Sequence, residues 1–129
     1  EVAVRMTARP GSKEYGALSI AVQYFTEPCM VMDVPPRAFL PAPEVRSTVV
    51  ACTVRDVPRV QPHDERFFFR LTRAAFGQRR KTLVNALTGA GLTKEAIRAA
   101  LAAAGVPENA RGEQLSLEAF ARLADAFQR

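Results

Sequence analysis

From Asp64 onward the chain repeats its apolar residues every three to four positions, and before it the pattern is shorter and interrupted by proline. The second part predicts four helices. Asp64 can cap a helix that carries Phe67, Phe68, Leu71, Ala75 and Phe76 on its apolar side and ends near Gly77. Thr82 to Leu87 reads as a short second helix, stopped by Gly89 and Gly91. Thr93 caps a third, with Ala96, Ile97, Ala100, Leu101 and Ala104 along one stripe and Gly105 as its stop. Ser116 caps a fourth, in which Leu117, Phe120, Leu123, Ala124 and Phe127 fall at i, i+3, i+6, i+7 and i+10.

The first part mixes signals. "EVAVRM" places Val2, Val4 and Met6 as in a helix entered partway through, with no capping residue ahead of them, so the chain is expected to be a piece of a longer one. "SKEYGALSIAVQYFTEP", between Gly11 and Pro28, fits two periods: Leu18, Ala21, Val22 and Phe25 suit a helix, while Leu18, Ile20, Val22 and Tyr24 alternate like a strand. Its length and Ser12 as a cap favour the helix. "CMVMDV" and "STVVACTV" are short, β-branched and bounded by prolines, and each reads as a strand. The connection from Pro35 to Arg46 is too long and too rich in proline for a two-residue turn. Within it, "PPRAFLPAP" sets four prolines around one aromatic, Phe39. Proline restricts its own φ and the residue before it, so the backbone carrying that ring is stiffened on both sides.

At 129 residues the chain is long enough to bury a real core, roughly two thirds of its unfolded surface. No apolar run reaches the length of a membrane span, and no secretory signal opens the chain, so the cytoplasm is the expected compartment. Charge divides with the pattern: residues 1–65 hold 7 Lys/Arg against 8 Asp/Glu, and residues 66–129 hold 11 against 5. Between Arg66 and Lys94 there are seven cations and no acid. Such a field attracts polyanions.

Candidate chemistry is sparse. Cys29 and Cys52 sit in apolar runs and match neither a zinc pattern nor a disulfide framework, so buried free thiols are expected. The one histidine, His63, lies in the polar linker "RDVPRVQPH", where a solvated loop residue is expected. A nucleophile triad and a metal site both lack their residues. "GAG" at 89–91 lacks the strand, third glycine and acid of a dinucleotide fingerprint. What remains is "RFFFRLTRAAFGQRRKTLVNAL". Arg66, Arg70 and Arg73, at i, i+4 and i+7, share one helix face, and the helix delivers "QRRK" into a turn. Consecutive cations repel one another, and a phosphate backbone supplies their countercharge. The Phe67–Phe69 run is read mostly as core.

Four segments, "PGSKEYGALSIAVQYF", "VPPRAFLPAPEVRSTVV", "AFGQRRKTLVNAL" and "RGEQLSLEAFARLADA", resemble in order and spacing the carboxyl-terminal half of the ribosomal RNA adenine dimethyltransferases. The small-subunit type fits better than the large-subunit type of antibiotic resistance. The resemblance implies α/β followed by all-α architecture. Residues 1–57 would be the last strands and helices of a Rossmann-like methyltransferase domain, and residues 58–129 a helical rRNA-binding domain. It implies N6-dimethylation of two adjacent adenines by S-adenosylmethionine, with Phe39 of "FLPAP" stacking on the extruded adenine and Arg73, Arg79, Arg80 and Lys81 binding rRNA. The family's glycine-rich cofactor loop and Asn-Leu-Pro-Tyr tetrapeptide do not occur here. No cofactor-binding residue is therefore expected in this chain, which alone is expected to be inactive. The expected partner is small-subunit rRNA or the pre-ribosomal small subunit, bound by a monomer without metal or membrane. A non-catalytic RNA- or ribosome-binding adaptor is the rival class.

Overall fold

In the computed structural model, which describes residues 1–128, the change of pattern along the chain is a change of architecture. Two helices, α1 (Val2–Thr7) and α2 (Ala17–Phe25), lead into an antiparallel hairpin of β1 (Thr26–Val34) and β2 (Ser47–Val54). The helices α3 (Glu65–Gly77), α4 (Leu83–Thr88), α5 (Lys94–Ala104) and α6 (Leu117–Phe127) follow, with short 3-10 turns at Pro36–Ala38 and Gly112–Gln114.

The helical half forms for the reasons its caps announce. Asp64 Oδ1 accepts from the Phe67 N–H at 3.1 Å, Thr93 Oγ1 from Ala96 at 3.2 Å, and Ser116 Oγ from Ala119 at 3.1 Å. Each bond satisfies a donor that a helix start leaves without a partner. Gly105 ends α5 at φ 72°, where a Cβ would be strained.

One core runs through both halves. Phe68, Leu71, Leu83, Leu87, Ile97, Leu101, Leu117, Phe120 and Leu123 are buried together with Tyr15, Ile20 and Tyr24 from the first part. Each large side chain so buried contributes roughly 1.5–3 kcal/mol. The Tyr24 ring lies 5.3 Å from Phe68 and 4.8 Å from Phe69, and Tyr15 meets Phe76 edge-on at 5.8 Å. Both phenols stay protonated. Burial and the 2.9 Å bond to Glu65 push the Tyr24 hydroxyl up to about 12, and burial raises that of Tyr15 further.

Two expectations change. Ser12 does not cap α2; its hydroxyl donates to the Arg9 carbonyl in a turn, and the helix begins at Ala17. Ser19 accepts from the Gly16 N–H and donates to the Arg5 carbonyl, while the Gln23 amide donates to the carbonyls of Met6 and Ala8 at 3.1 and 2.8 Å. These buried polar side chains close the end of α1, a tertiary task that the local pattern does not reveal.

The cysteines are the second change, because both are exposed. β1 and β2 pair from Thr26↔Val54 to Val34↔Ser47 with an extra residue, Val31, between Met30 and Met32. Among the described residues these are the sheet's two strands, and Met30, Val31, Met32 and Val49 are open to solvent beside the thiols. Apolar, β-branched composition reports strand preference, whereas burial requires a neighbour across the face. Cys52 pairs with Pro28 and Cys29 with Ala51, so the two thiols point to opposite faces of the hairpin.

Candidate nucleic-acid interface

Phe39 stands at the far end of the hairpin. It follows the Pro36–Ala38 turn, and its N–H donates to the Pro36 carbonyl at 3.2 Å. Its side chain is 42% exposed and makes no aromatic contact among the described residues. The nine residues of β1, at about 3.3 Å per residue, make a strand roughly 26 Å long between α2 and the loop that carries Phe39. A half-exposed ring on a proline-rich loop can accept a flat partner without first breaking an aromatic contact.

The "QRRK" turn lies between α3 and α4, closed by the Lys81 N–H on the Gln78 carbonyl at 3.0 Å. Its three cations, indistinguishable in sequence, differ in the fold. Arg80 and Lys81 are exposed and have no ion-pair partner among the described residues. Arg79 turns inward. Its Nη2 donates to the carbonyls of Lys13 and Tyr15 at 2.6 and 3.0 Å and lies 4.0 Å from Glu113 Oε2. Arg73 is exposed one turn before the end of α3, on the face opposite Leu71 and Ala75.

Three of the sequence segments singled out above meet at this turn. The Tyr15 hydroxyl donates to the Leu115 carbonyl at 2.7 Å, and the Gly11 N–H to that of Glu113 at 2.6 Å. The Leu83 N–H donates to the Ala110 carbonyl at 2.9 Å. A Cβ built on Gly112 would sit 3.1 Å from that of Ala75, so glycine permits the close approach of the Gly112–Gln114 turn to α3. "PGSKEYG", "AFGQRRK" and "RGEQLS" are the three sides of one joint.

A family model described as ribosomal RNA adenine dimethylase matches residues 1–129. The chain belongs to that family.

Among curated members of the dimethylase family, the ribosomal RNA small subunit methyltransferase A of Moorella thermoacetica is 54% identical over 128 residues, covering 99% of this chain and 44% of that protein. The protein of the same name from Bacillus pumilus is 50% identical over 133 residues, covering 100% of this chain and 46% of its own length. The chain therefore spans a little under half of these relatives. In fold it is similar to a dimethyladenosine transferase from Plasmodium falciparum (TM-score 0.73, 22% identity, 94% of this chain and 51% of that one). It is also similar to the 23S rRNA methyltransferase ErmE (TM-score 0.59, 22% identity, 94% and 50%).

For this dimethylase-family chain, the joint separates the roles of neighbouring cations. Arg79→Gln is expected to lose about 1–2 kcal/mol of stability, discounted for the part of the side chain that water reaches, and to lower the thermal midpoint by roughly 3–8 °C. Arg80→Gln is expected to leave it within about 2 °C. Equal midpoints for the two variants in a circular dichroism melt would remove the distinction. Nothing local marks Arg79 as the inward one; its partners lie more than sixty residues away in sequence or in the distant Gly112–Gln114 turn.

His63 is exposed in its loop, its N–H donating to Asp125 Oδ1 at 2.9 Å. Among the described residues no group of three or more His, Cys, Asp or Glu side chains is placed to hold a metal ion, and no helix is long and apolar enough to cross a membrane.

Proposed function

We propose that this chain is the target-base and rRNA-gripping portion of an enzyme that dimethylates N6 of two adjacent adenines in small-subunit rRNA. The observation that carries the reading is the half-exposed Phe39 ring on its proline-rich loop, in a chain that also presents an open cationic turn. The names of the curated relatives, at 50–54% identity, favour the small-subunit target.

Adenine N6 inside a helix is out of reach, so the base must leave its stack. Unstacking costs a few kcal/mol, and an aromatic face returns roughly 1–3 kcal/mol. Phe39 supplies that face. Arg73, Arg80 and Lys81 neutralise phosphates, and Arg79, part of whose guanidinium remains open, holds the turn from which they project.

S-adenosylmethionine, the methyl donor implied by the activity, has no fitting site among the described residues. Gly89 and Gly91 follow the end of α4 and do not join a strand to a helix. We assign the donor to the part of the longer relatives that this chain does not span. On this reading residues 1–57 close a Rossmann-like methyltransferase domain, residues 58–129 are the rRNA-binding domain, and the protein works as a cytoplasmic monomer on the pre-ribosomal small subunit.

The turn provides the test. With about 0.7 units of salt slope per neutralised phosphate, Arg80→Gln combined with Lys81→Gln is expected to flatten log affinity against log salt by about 1.4. The measurement is a titration of a small-subunit rRNA 3′-domain transcript at several salt concentrations. An unchanged slope at unchanged affinity would overturn the cationic grip.

A further inference from the structure

The basic turn accounts for one end of α3; the other end carries cations of its own. Arg66 and Arg70 lie on the same face as Arg73 and Gly77, since 66, 70, 73 and 77 recur within about 40° of one line on a helix of 3.6 residues per turn. That face is opposite Phe68, Leu71, Thr72 and Ala75, which enter the core. Beside it opens a cleft of about 730 Å³ whose lining includes Arg66, Arg70, Arg73, Phe67 and Phe69 together with the carboxylates of Asp64 and Glu65.

The charges in this cleft are unequal in freedom. Asp64 is occupied in capping α3, and Glu65 accepts from the Tyr24 hydroxyl. Arg66, Arg70 and Arg73 have no ion-pair partner among the described residues. The Arg70 guanidinium carbon sits 5.4 Å from the centre of the Phe67 ring, which steadies the side chain without neutralising it. Phe69 stacks on Phe25 at 5.8 Å and 16°, and Phe25 is 46% exposed. Unneutralised arginines beside open aromatic rings are the combination that holds unpaired nucleic acid: charge follows the backbone and a ring receives the base.

Resting on the rRNA reading above, we infer that the amino-terminal end of α3 is a second RNA site, separate from the "QRRK" turn, that takes an unpaired stretch of RNA with its phosphates on Arg66 and Arg70 and a base against the Phe25–Phe69 stack. α3 has thirteen residues and is roughly 20 Å long, so the two sites engage different phosphates, with Arg73 between them. Gly77 leaves the route along this face open; a Cβ built there meets no atom within 4 Å.

The test uses this chain and the 3′-domain transcript of small-subunit rRNA. Arg66→Gln combined with Arg70→Gln is expected to flatten the salt slope by about 1.4, so that the ratio of affinities at 50 and 200 mM salt falls about sevenfold. Arg66→Lys with Arg70→Lys keeps the parent slope. Arg modification by phenylglyoxal, read by mass spectrometry on the parent chain, is expected to be blocked by RNA at Arg66 and Arg70 as well as at Arg80. A parent-like slope in the Gln variant, or protection at Arg80 without protection at Arg66 and Arg70, overturns the second site and leaves the turn's role standing. If neither this variant nor the Arg80/Lys81 variant alters the slope, the second site and the cationic grip fall together.

Discussion

Phe68→Ala is expected to lose roughly 3–5 kcal/mol and to lower the thermal midpoint by about 10–20 °C, the largest loss of stability from one aromatic in this chain. Phe68 is completely buried, at the point where α3 packs against α2, with Tyr24 at 5.3 Å and Phe69 at 5.1 Å. Truncation leaves a void between two rigid rings, and α2 cannot shift to close it without disturbing the bonds from the Gln23 amide to the Ala8 carbonyl and from the Arg59 N–H to the Tyr24 carbonyl. The neighbouring Phe67 is only half-buried, against Phe127 at 5.6 Å, so Phe67→Ala should cost much less. Circular dichroism melts of the two variants check the contrast. A midpoint drop for Phe68→Ala no larger than that for Phe67→Ala would show that the core is not centred on this contact.

The same three phenylalanines show what the sequence could and could not specify. Apolar spacing groups Phe67 with Phe68, Leu71, Ala75 and Phe76, whereas the fold buries Phe68, Leu71, Thr72 and Ala75 and leaves Phe67 and Phe69 half-buried to either side. The caps were legible, since Asp64, Thr93 and Ser116 need only their own helix to act. Ser12 failed as a cap because its hydroxyl closes a turn on the Arg9 carbonyl and the helix starts only at Ala17, where Ser19 accepts from the Gly16 N–H and donates to the Arg5 carbonyl. Cys29 and Cys52 read as buried because their strands are apolar, yet a strand's composition cannot say whether anything lies over it. At the candidate site, the prolines mark a stiffened loop, whereas the exposure of Phe39 depends on what packs beside it and is visible only in the fold. The difference between Arg79 and Arg80 could be seen only once Lys13, Tyr15 and Glu113 were brought to the turn.

Phe39→Ala, made in a protein of the relatives' full length that carries this segment, is expected to lower kcat/KM for adenine methylation by roughly 5- to 150-fold, the equivalent of about 1–3 kcal/mol of lost stacking. The thermal midpoint should hold within about 2 °C, because the ring is half-exposed and lies outside the buried cluster. Affinity for rRNA and its salt slope should also hold, since no charge is removed and Phe39 lies on the β1–β2 loop, not on the turn between α3 and α4. Phe39→Tyr keeps a ring on the same backbone and should restore most of the rate. A purely structural role predicts the reverse ranking, a shifted midpoint with proportionate loss of every activity. Methylation by Phe39→Ala at the parental rate, measured by transfer of labelled methyl groups to a small-subunit rRNA transcript, would remove the ring from the reaction. The prolines around it would then need another explanation than holding an aromatic face ready for an extruded base.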